Sequence, residues 1–229
     1  MKPELDNITI KGRRDLVLGN IKAAATTIGR EAGSIELIAV SKLQDDDRIR
    51  AMLETGHKVF GENRVQEAKA RWGDRFSDEC DGLTLHLIGP LQTNKVDDAV
   101  ALFDVIETVD REKLVKALVK SCEKLGRRPK IYVQVNIGEE EQKSGVLPNE
   151  TVSFVEMLRR DYNWEPEGLM CIPPMAEAPS PHFWLLANLA AQCGLSNLSM
   201  GMSGDYEIAV KMGATNVRVG AAMFGARQS

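Results

Sequence analysis

Ile35-Glu-Leu-Ile-Ala-Val-Ser-Lys42 is an apolar run that stops abruptly on a lysine. Its centre, Leu37–Val40, is short and apolar on consecutive positions, which is the pattern of a strand covered on both faces. Runs of the same kind recur at Lys58–Gly61, Leu85–Ile88, Val105–Thr108, Ile131–Asn136, Gly168–Ile172, Asn197–Met200 and Asn216–Val219. Helical patterns lie between them, at Asp46–Thr55, Arg64–Arg71, Lys95–Leu102, Arg111–Leu125, Asn149–Arg160, Pro181–Cys193 and Asp205–Met212. Alternating strands and helices imply a parallel sheet. About eight such units suit a closed (β/α)8 barrel, where five or six would suit an open sheet. The chain has 229 residues, within reach of the roughly 250 typical of such barrels. The expectation is a single TIM-type barrel domain spanning 1–229, with residues 1–32 as an extra N-terminal helix. Leu16, Val17, Ile21, Ala24 and Ala25 supply that helix with an apolar stripe.

The punctuation agrees. Gly56, Gly126, Gly194 and Gly213 fall where helix C-caps are expected, and Asp110, Asn149, Ser180 and Ser203 or Asp205 where N-caps are. Glu139–Gln142 reads as a solvated loop after the fifth strand. Hydrophobic content is 43% and net charge is −4, with no basic patch, so nucleic acid is not an expected partner. The charged N-terminus lacks an apolar signal core, and no apolar run is long enough to cross a bilayer. A cytoplasmic protein without membrane contact is expected. Cys80, Cys122, Cys171 and Cys193 form no C-x-x-C pair, and His57, His86 and His182 have no metal-ligand spacing. Free buried thiols and no metal site are the expectation.

In a barrel the βα loops meet at the strand C-termini. That gathers Lys42, Asn63, the segment after Ile88, Asn136, Pro173, Ser203 and Gly220. A lysine amine becomes a Schiff-base nucleophile when partial burial or a nearby cation disfavours its charged form. Arg218 and Gly220 are two apart and face the same side of their strand. Arg218 is thus placed to reach a ring while the Gly220 and Ala221 amides hold a phosphate. Ser203-Gly204-Asp205 opens a helix and adds amides and a hydroxyl to the same anion. Each feature also has an ordinary structural role: a solvated lysine, a strand-end ion pair and a helix N-cap. Taken together, a lysine opposite a phosphate cup is what pyridoxal 5'-phosphate (PLP) requires.

The strings AVSK ending at Lys42, FGEN at Asn63, HLIGPLQTNK at Lys95, QVNIGEEEQKSG at Gly145, GLMCIP at Pro173, LSMGMSGD at Asp205 and VRVGAAMFG at Gly225 resemble the pyridoxal phosphate homeostasis proteins. These are single-barrel relatives of the N-terminal domain of alanine racemase. The resemblance runs from about residue 35 to 227, with its motifs in order. It implies a fold-type III PLP barrel with an internal aldimine at Lys42. It also implies phosphate contacts from Ser203, Gly220 and Ala221, a pyridine-nitrogen contact from Arg218, and Asn63 beside the cofactor. His86, Asn94, Lys95 and Lys143 match family motif positions without a settled role. Two positions depart from the family: Ala221 stands where a Thr is usual, and Arg64 where a Tyr is often found.

The resemblance implies a protein that stores, buffers or delivers PLP, with effects on amino acid and keto acid metabolism, and apo PLP-dependent enzymes as recipients. Arg218 stays protonated and accepts no hydrogen bond, so it leaves the pyridine nitrogen unprotonated and the electron sink weak. The second domain that supplies a partner tyrosine in alanine racemase has no counterpart in this chain, whose tyrosines are Tyr132, Tyr162 and Tyr206. A monomer without catalytic residues is expected. The alternatives are a PLP enzyme with racemase-type activity and a barrel for another phosphorylated metabolite.

Overall fold

The computed structural model describes residues 8–79 and 81–225. Its strands are β1 (Glu36–Val40), β2 (Val59–Glu62), β3 (Thr84–Leu87), β4 (Val105–Val109), β5 (Lys130–Val135), β6 (Gly168–Cys171), β7 (Asn197–Ser199) and β8 (Asn216–Val219). Each pairs in parallel with the next, and β8 pairs with β1 to close the barrel. The helices are α1 (Ile10–Thr26), α2 (Asp46–Glu54), α3 (Val65–Ala68), α4 (Val96–Leu102), α5 (Glu112–Leu125), α6 (Thr151–Tyr162), α7 (Pro179–Gln192), α8 (Tyr206–Lys211) and α9 (Ala221–Phe224). The expected barrel and all eight expected strands are present, each within a residue or two of its anticipated ends.

Gly56, Gly126, Gly194 and Gly213 all have positive φ, from 64° to 103°, the left-handed geometry that a helix end needs and that glycine adopts without a Cβ penalty. The N-cap expectations fare worse, although Asp205 does stand at the N-cap position of α8, without a side-chain cap bond. Asp110 precedes the cap position of α5, Asn149 lies within a 3₁₀ turn, and Ser180 is inside α7, whose first residue is Pro179. Proline's fixed φ starts a helix without a side-chain cap, which displaces Ser180 from the role. Side-chain caps occur instead at Thr9, which accepts from Gly12 N–H, and Asp45, which accepts from Arg48 N–H. The N-terminal helix is shorter than 1–32, running Ile10–Thr26, and residues 1–7 lie outside the described residues. Leu16 does not join its buried stripe: it is 48% exposed, while Val17, Ile21, Ala24 and Ala25 are buried. The helix expected over Arg64–Arg71 is α3 followed by a π-helical stretch, Lys69–Arg75.

Side chains alternate between two faces of each strand. The outward set, including Leu37, Ala39, Phe60, Leu87, Ile106, Ile131, Val133 and Leu169, packs under the helices in one continuous core. The inward set is strongly polar: His86, Glu107, Tyr132, Ser199, Asn216 and Arg218 are all buried. Cys171 and Cys193 are buried and Cys122 is half-buried, all as free thiols, and burial pushes Cys171 up to about 12. Cys80 lies outside the described residues. Among the described residues no helix is long and apolar enough to cross a membrane.

One outer histidine has a measurable consequence. His57 is buried, its Nε2–H donates to the Val59 carbonyl at 2.9 Å, and its ring meets Phe60 edge-on at 5.4 Å. Burial outweighs that hydrogen bond and lowers its pKa to about 4. The unfolded chain, with an ordinary histidine near 6.5, therefore binds the proton more readily, and stability rises with pH across this window. The contribution is about 3 kcal/mol, fully present above about pH 6.5 and lost progressively as pH falls towards 4. His57→Gln should flatten the pH dependence of urea unfolding over this interval. An unchanged slope would assign that dependence to other groups.

Candidate functional site at the barrel mouth

Register decides which residues meet. Val40 pairs with Gly61 in β1–β2, and Ala39 pairs with Val219 in β1–β8. Lys42, two residues past Val40, therefore leaves the barrel between Asn63 on one side and the Gly220–Ala222 turn on the other. On the far side of β8, the Arg218 N–H donates to the Gly201 carbonyl at 2.9 Å, which brings Ser203 beside Gly220. Strands β7, β8, β1 and β2 thus deliver Ser203, Gly220, Lys42 and Asn63 to adjoining positions on the C-terminal mouth.

The candidate anion cradle is tied together through Ser203. Gly220 N–H and Ala222 N–H donate to Ser203 Oγ at 3.2 and 3.3 Å. The Ser203, Gly204 and Ala221 amides make no hydrogen bond among the described residues. Uncommitted amides and a hydroxyl on adjoining turns are the donors from which anion-binding nests are made. A Cβ on Gly220 would lie 3.4 Å from the Val40 carbonyl oxygen and Cβ, at van der Waals contact, so the turn lies against the end of β1. These donors fit a phosphate group. Ala222 was not anticipated in the cradle. Its amide enters because the chain turns into α9 immediately after Gly220, a bend with no separate signature in the string VRVGAAMFG.

Lys42 is half-buried and lines a cavity of about 150 Å³ with Leu43, Asn63, Arg64 and Glu67. The turn that carries it is clamped from below. Arg71 donates from its two terminal nitrogens to the Ser41 carbonyl at 3.1 Å and the Gln44 carbonyl at 2.8 Å. Arg71 also pairs with Glu62 at 2.6 Å, and Glu62 Oε1 accepts from Ser41 Oγ at 2.7 Å and Trp72 Nε1 at 3.1 Å. The Glu62 side chain is 0% exposed and the Arg71 side chain 8%. Two adjacent residues, Arg71 and Trp72, reach one carboxylate because the chain is π-helical there: Phe76 N–H donates to the Arg71 carbonyl five residues back, at 2.8 Å. Such widened turns favour functional positions. Sequence reasoning missed Glu62 and Arg71. The available signal was a glutamate closing an otherwise apolar strand.

Arg218 lies inside the barrel. It donates to Ser199 Oγ at 2.6 Å and to the Cys171 carbonyl at 2.8 Å, and stands 3.7 Å from Glu107 Oε2. Glu107 reaches across the lumen from β4, accepting from Ser199 Oγ at 2.6 Å and bonding His86 Nδ1 at 2.7 Å. Burial alone would raise the Glu107 pKa. The His86 hydrogen bond, the nearby positive charges of His86 and Arg218, and the Ser199 hydroxyl outweigh it and hold the carboxyl below its usual range. The result is an anchored guanidinium on the floor of the mouth, with its direction set by strands β6, β7 and β4. His86, a motif position without an anticipated role, belongs to this floor.

Asn63 is the hub of the remaining space. It borders the Lys42 cavity, a cavity of about 280 Å³ shared with Gln134, Asn136 and Lys143, and another of about 780 Å³ shared with Lys95. Its backbone position depends on Gly89, where a Cβ would lie 2.2 Å from the Asn63 carbonyl oxygen. Lys143 forms an ion pair with Glu140 and donates to the Pro173 carbonyl at 3.4 Å; in the loop expected to be solvated after β5, Glu139, Glu141 and Gln142 are exposed and Glu140 is half-buried. Arg64 is 73% exposed at its side chain and pairs with Glu67 at 2.8 Å.

Residues 16–228 match the family model for the alanine racemase N-terminal domain. A protein named pyridoxal phosphate homeostasis protein from Vibrio cholerae is 37% identical over 225 residues, covering 92% of this chain and 93% of its own. The PipY protein of Synechococcus elongatus, solved with PLP bound, superposes with a TM-score of 0.75 at 35% identity, covering 90% of this chain and all of that one. Its structure without PLP gives a TM-score of 0.79 at 36% identity.

Proposed function

Because the chain belongs to the alanine racemase N-terminal-domain family, among the pyridoxal phosphate homeostasis proteins, we propose that it binds PLP at the barrel mouth and serves to store, buffer or deliver it. The observation that carries the reading is the convergence of Lys42 with the preformed Ser203–Gly220–Ala222 cradle, dictated by the β7–β8–β1 register. PLP, when bound, supplies an aldehyde that condenses with a lysine amine and a ring that withdraws electrons. The protein's own residues then have definite tasks. Ser203, Gly220, Ala221 and Ala222 hold the phosphate through a hydroxyl and backbone amides. Lys42 presents its amine from a turn that Arg71 keeps in place. Arg218 offers N–H donors to the ring nitrogen from a guanidinium that Ser199, Cys171 and Glu107 orient. Asn63 forms the side wall.

A holder of the cofactor suits this floor better than a strong catalyst. A guanidinium can only donate, so it does not protonate the ring nitrogen. The tyrosines have structural employment: Tyr206 accepts from Asn20 at 2.9 Å, Tyr132 donates to Asn216 at 3.2 Å and Tyr162 to Glu112 at 2.7 Å. The reading includes a cytoplasmic monomer that passes PLP to apo PLP-dependent enzymes and has consequences for amino acid and keto acid levels. The test is the near-visible spectrum with added PLP, followed by borohydride reduction and peptide mapping. A yellow band and a pyridoxyl adduct on Lys42 are expected, with subsequent transfer to an apo-enzyme from unreduced protein. Absence of both band and adduct would defeat the reading. Turnover of an amino acid with loss of its α-proton would replace the holder with an enzyme.

A further inference from the structure

A cavity of about 780 Å³ at the mouth is built by segments that follow β2, β3, β4 and β5, whereas the phosphate cradle follows β7 and β8. Arg64, Lys95 and Arg111 line it, together with Asn63, Gln92 and Ser144, and no acidic side chain does. Three cations around one opening are conspicuous in a chain whose net charge is −4. Arg111 is held in place by hydrogen bonding to the Leu91 carbonyl at 2.9 Å and pairing with Asp110 at 2.5 Å. Arg64 pairs with Glu67 on its outer side. Lys95 is half-buried, and among the described residues its ammonium has neither an ion pair nor a hydrogen bond. Crowding like charges and partly desolvating one of them both cost free energy, and an anion in the cavity offsets both. Guanidinium forks match the paired oxygens of carboxylates and phosphates alike, and the volume is that of a small-molecule site.

We propose that this cavity binds a small oxyanion, the carboxylate or phosphate group of an acidic small molecule, with Lys95 as its direct ion-pair partner and Arg64 and Arg111 flanking it. Asn63 is the common wall with the Lys42 cavity, so the bound acid lies in the lobe next to the proposed cofactor. The proposal stands on the unloaded protein and does not require the PLP reading.

The test is calorimetric titration of the unloaded protein with succinate and, separately, with inorganic phosphate. Lys95→Ala should weaken binding by about tenfold, the scale of one charge-assisted hydrogen bond. Lys22→Ala, which removes one exposed charge from α1, should have little effect, and Ser203→Ala in the cradle should leave succinate affinity within about twofold. Added salt should weaken binding through screening. Succinate binding with this pattern assigns a carboxylate ligand, and phosphate binding with it assigns a phosphorylated one. Failure of both anions to bind at concentrations on the order of 10 mM, or equal effects of Lys95→Ala and Lys22→Ala, would overturn the site. So would phosphate binding sensitive only to Ser203→Ala, which belongs to the cradle. Unaltered melting of the Lys95 variant separates any loss from misfolding.

Discussion

Lys42→Ala should reduce the borohydride-stable pyridoxyl label on the protein to background while a weaker, noncovalent PLP complex persists. The two parts of the result have separate physical origins. The label needs an amine within reach of the aldehyde, and Lys42 is the lysine lining a mouth cavity that it shares with Asn63. Phosphate retention needs only the Ser203 hydroxyl and the amides of the turns after β7 and β8, which the substitution does not touch. Each hydrogen bond to a charged group contributes about 1.5–3 kcal/mol, so a cradle of several amides retains the phosphate without the covalent link. Mass mapping of reduced protein and a PLP titration by fluorescence give the two readouts. Full labelling in the variant would reassign the reactive amine to Lys95 or Lys143, which line neighbouring lobes of the same mouth.

Glu62→Ala should destabilise the fold by about 3–5 kcal/mol, the range for stranding one member of a buried ion pair. Arg71, 92% buried at its side chain, would keep its charge and lose its close carboxylate, with only Asp46 left at 4.0 Å. Ser41 Oγ and Trp72 Nε1 would lose their shared acceptor in the same step. For a chain of this size each kcal/mol lowers the melting temperature by about 2–4 °C. Glu62→Gln retains an oxygen of the same reach and should cost less, because the uncompensated charge remains but the hydroxyl and indole are still satisfied. The effect extends to function through Arg71, which holds the Ser41 and Gln44 carbonyls on either side of Lys42. Slower reaction of Lys42 with PLP in Glu62→Gln, at a temperature where the variant is folded, is the expected signature. A stability loss below about 1 kcal/mol, the level of an exposed pair, would show that the clamp is solvated and does not position the lysine.

The strands were legible because each is a short apolar run between polar, helical segments. The glycines after α2, α5, α7 and α8 were legible because a left-handed helix end has few alternatives to glycine. Helix starts were harder to read, since several residue types cap and a proline at the first position makes the cap unnecessary, as Pro179 does for Ser180. Leu16 shows the limit of a periodic stripe: one residue of angular drift places a leucine outside the buried face of α1.

Lys42, Asn63, Ser203, Arg218, Gly220 and Ala221 could be named from motifs because each sits at a strand end, where local pattern and barrel topology together predict a common mouth. By itself, then, the sequence determined the alternation of strands and helices, the closed barrel and the identity of the residues at its rim, since these depend on apolar periodicity and on turns that act over a few residues. Tertiary structure alone decided what steadies those residues. The π-helical turn that brings Arg71 and Trp72 onto Glu62, the crossing of the lumen from Glu107 to Ser199 at a separation of 92 residues, and the Ala222 amide on Ser203 all depend on strand register and backbone winding. Those are set by packing the whole barrel, and no local pattern encodes the partner of a buried charge on a distant strand.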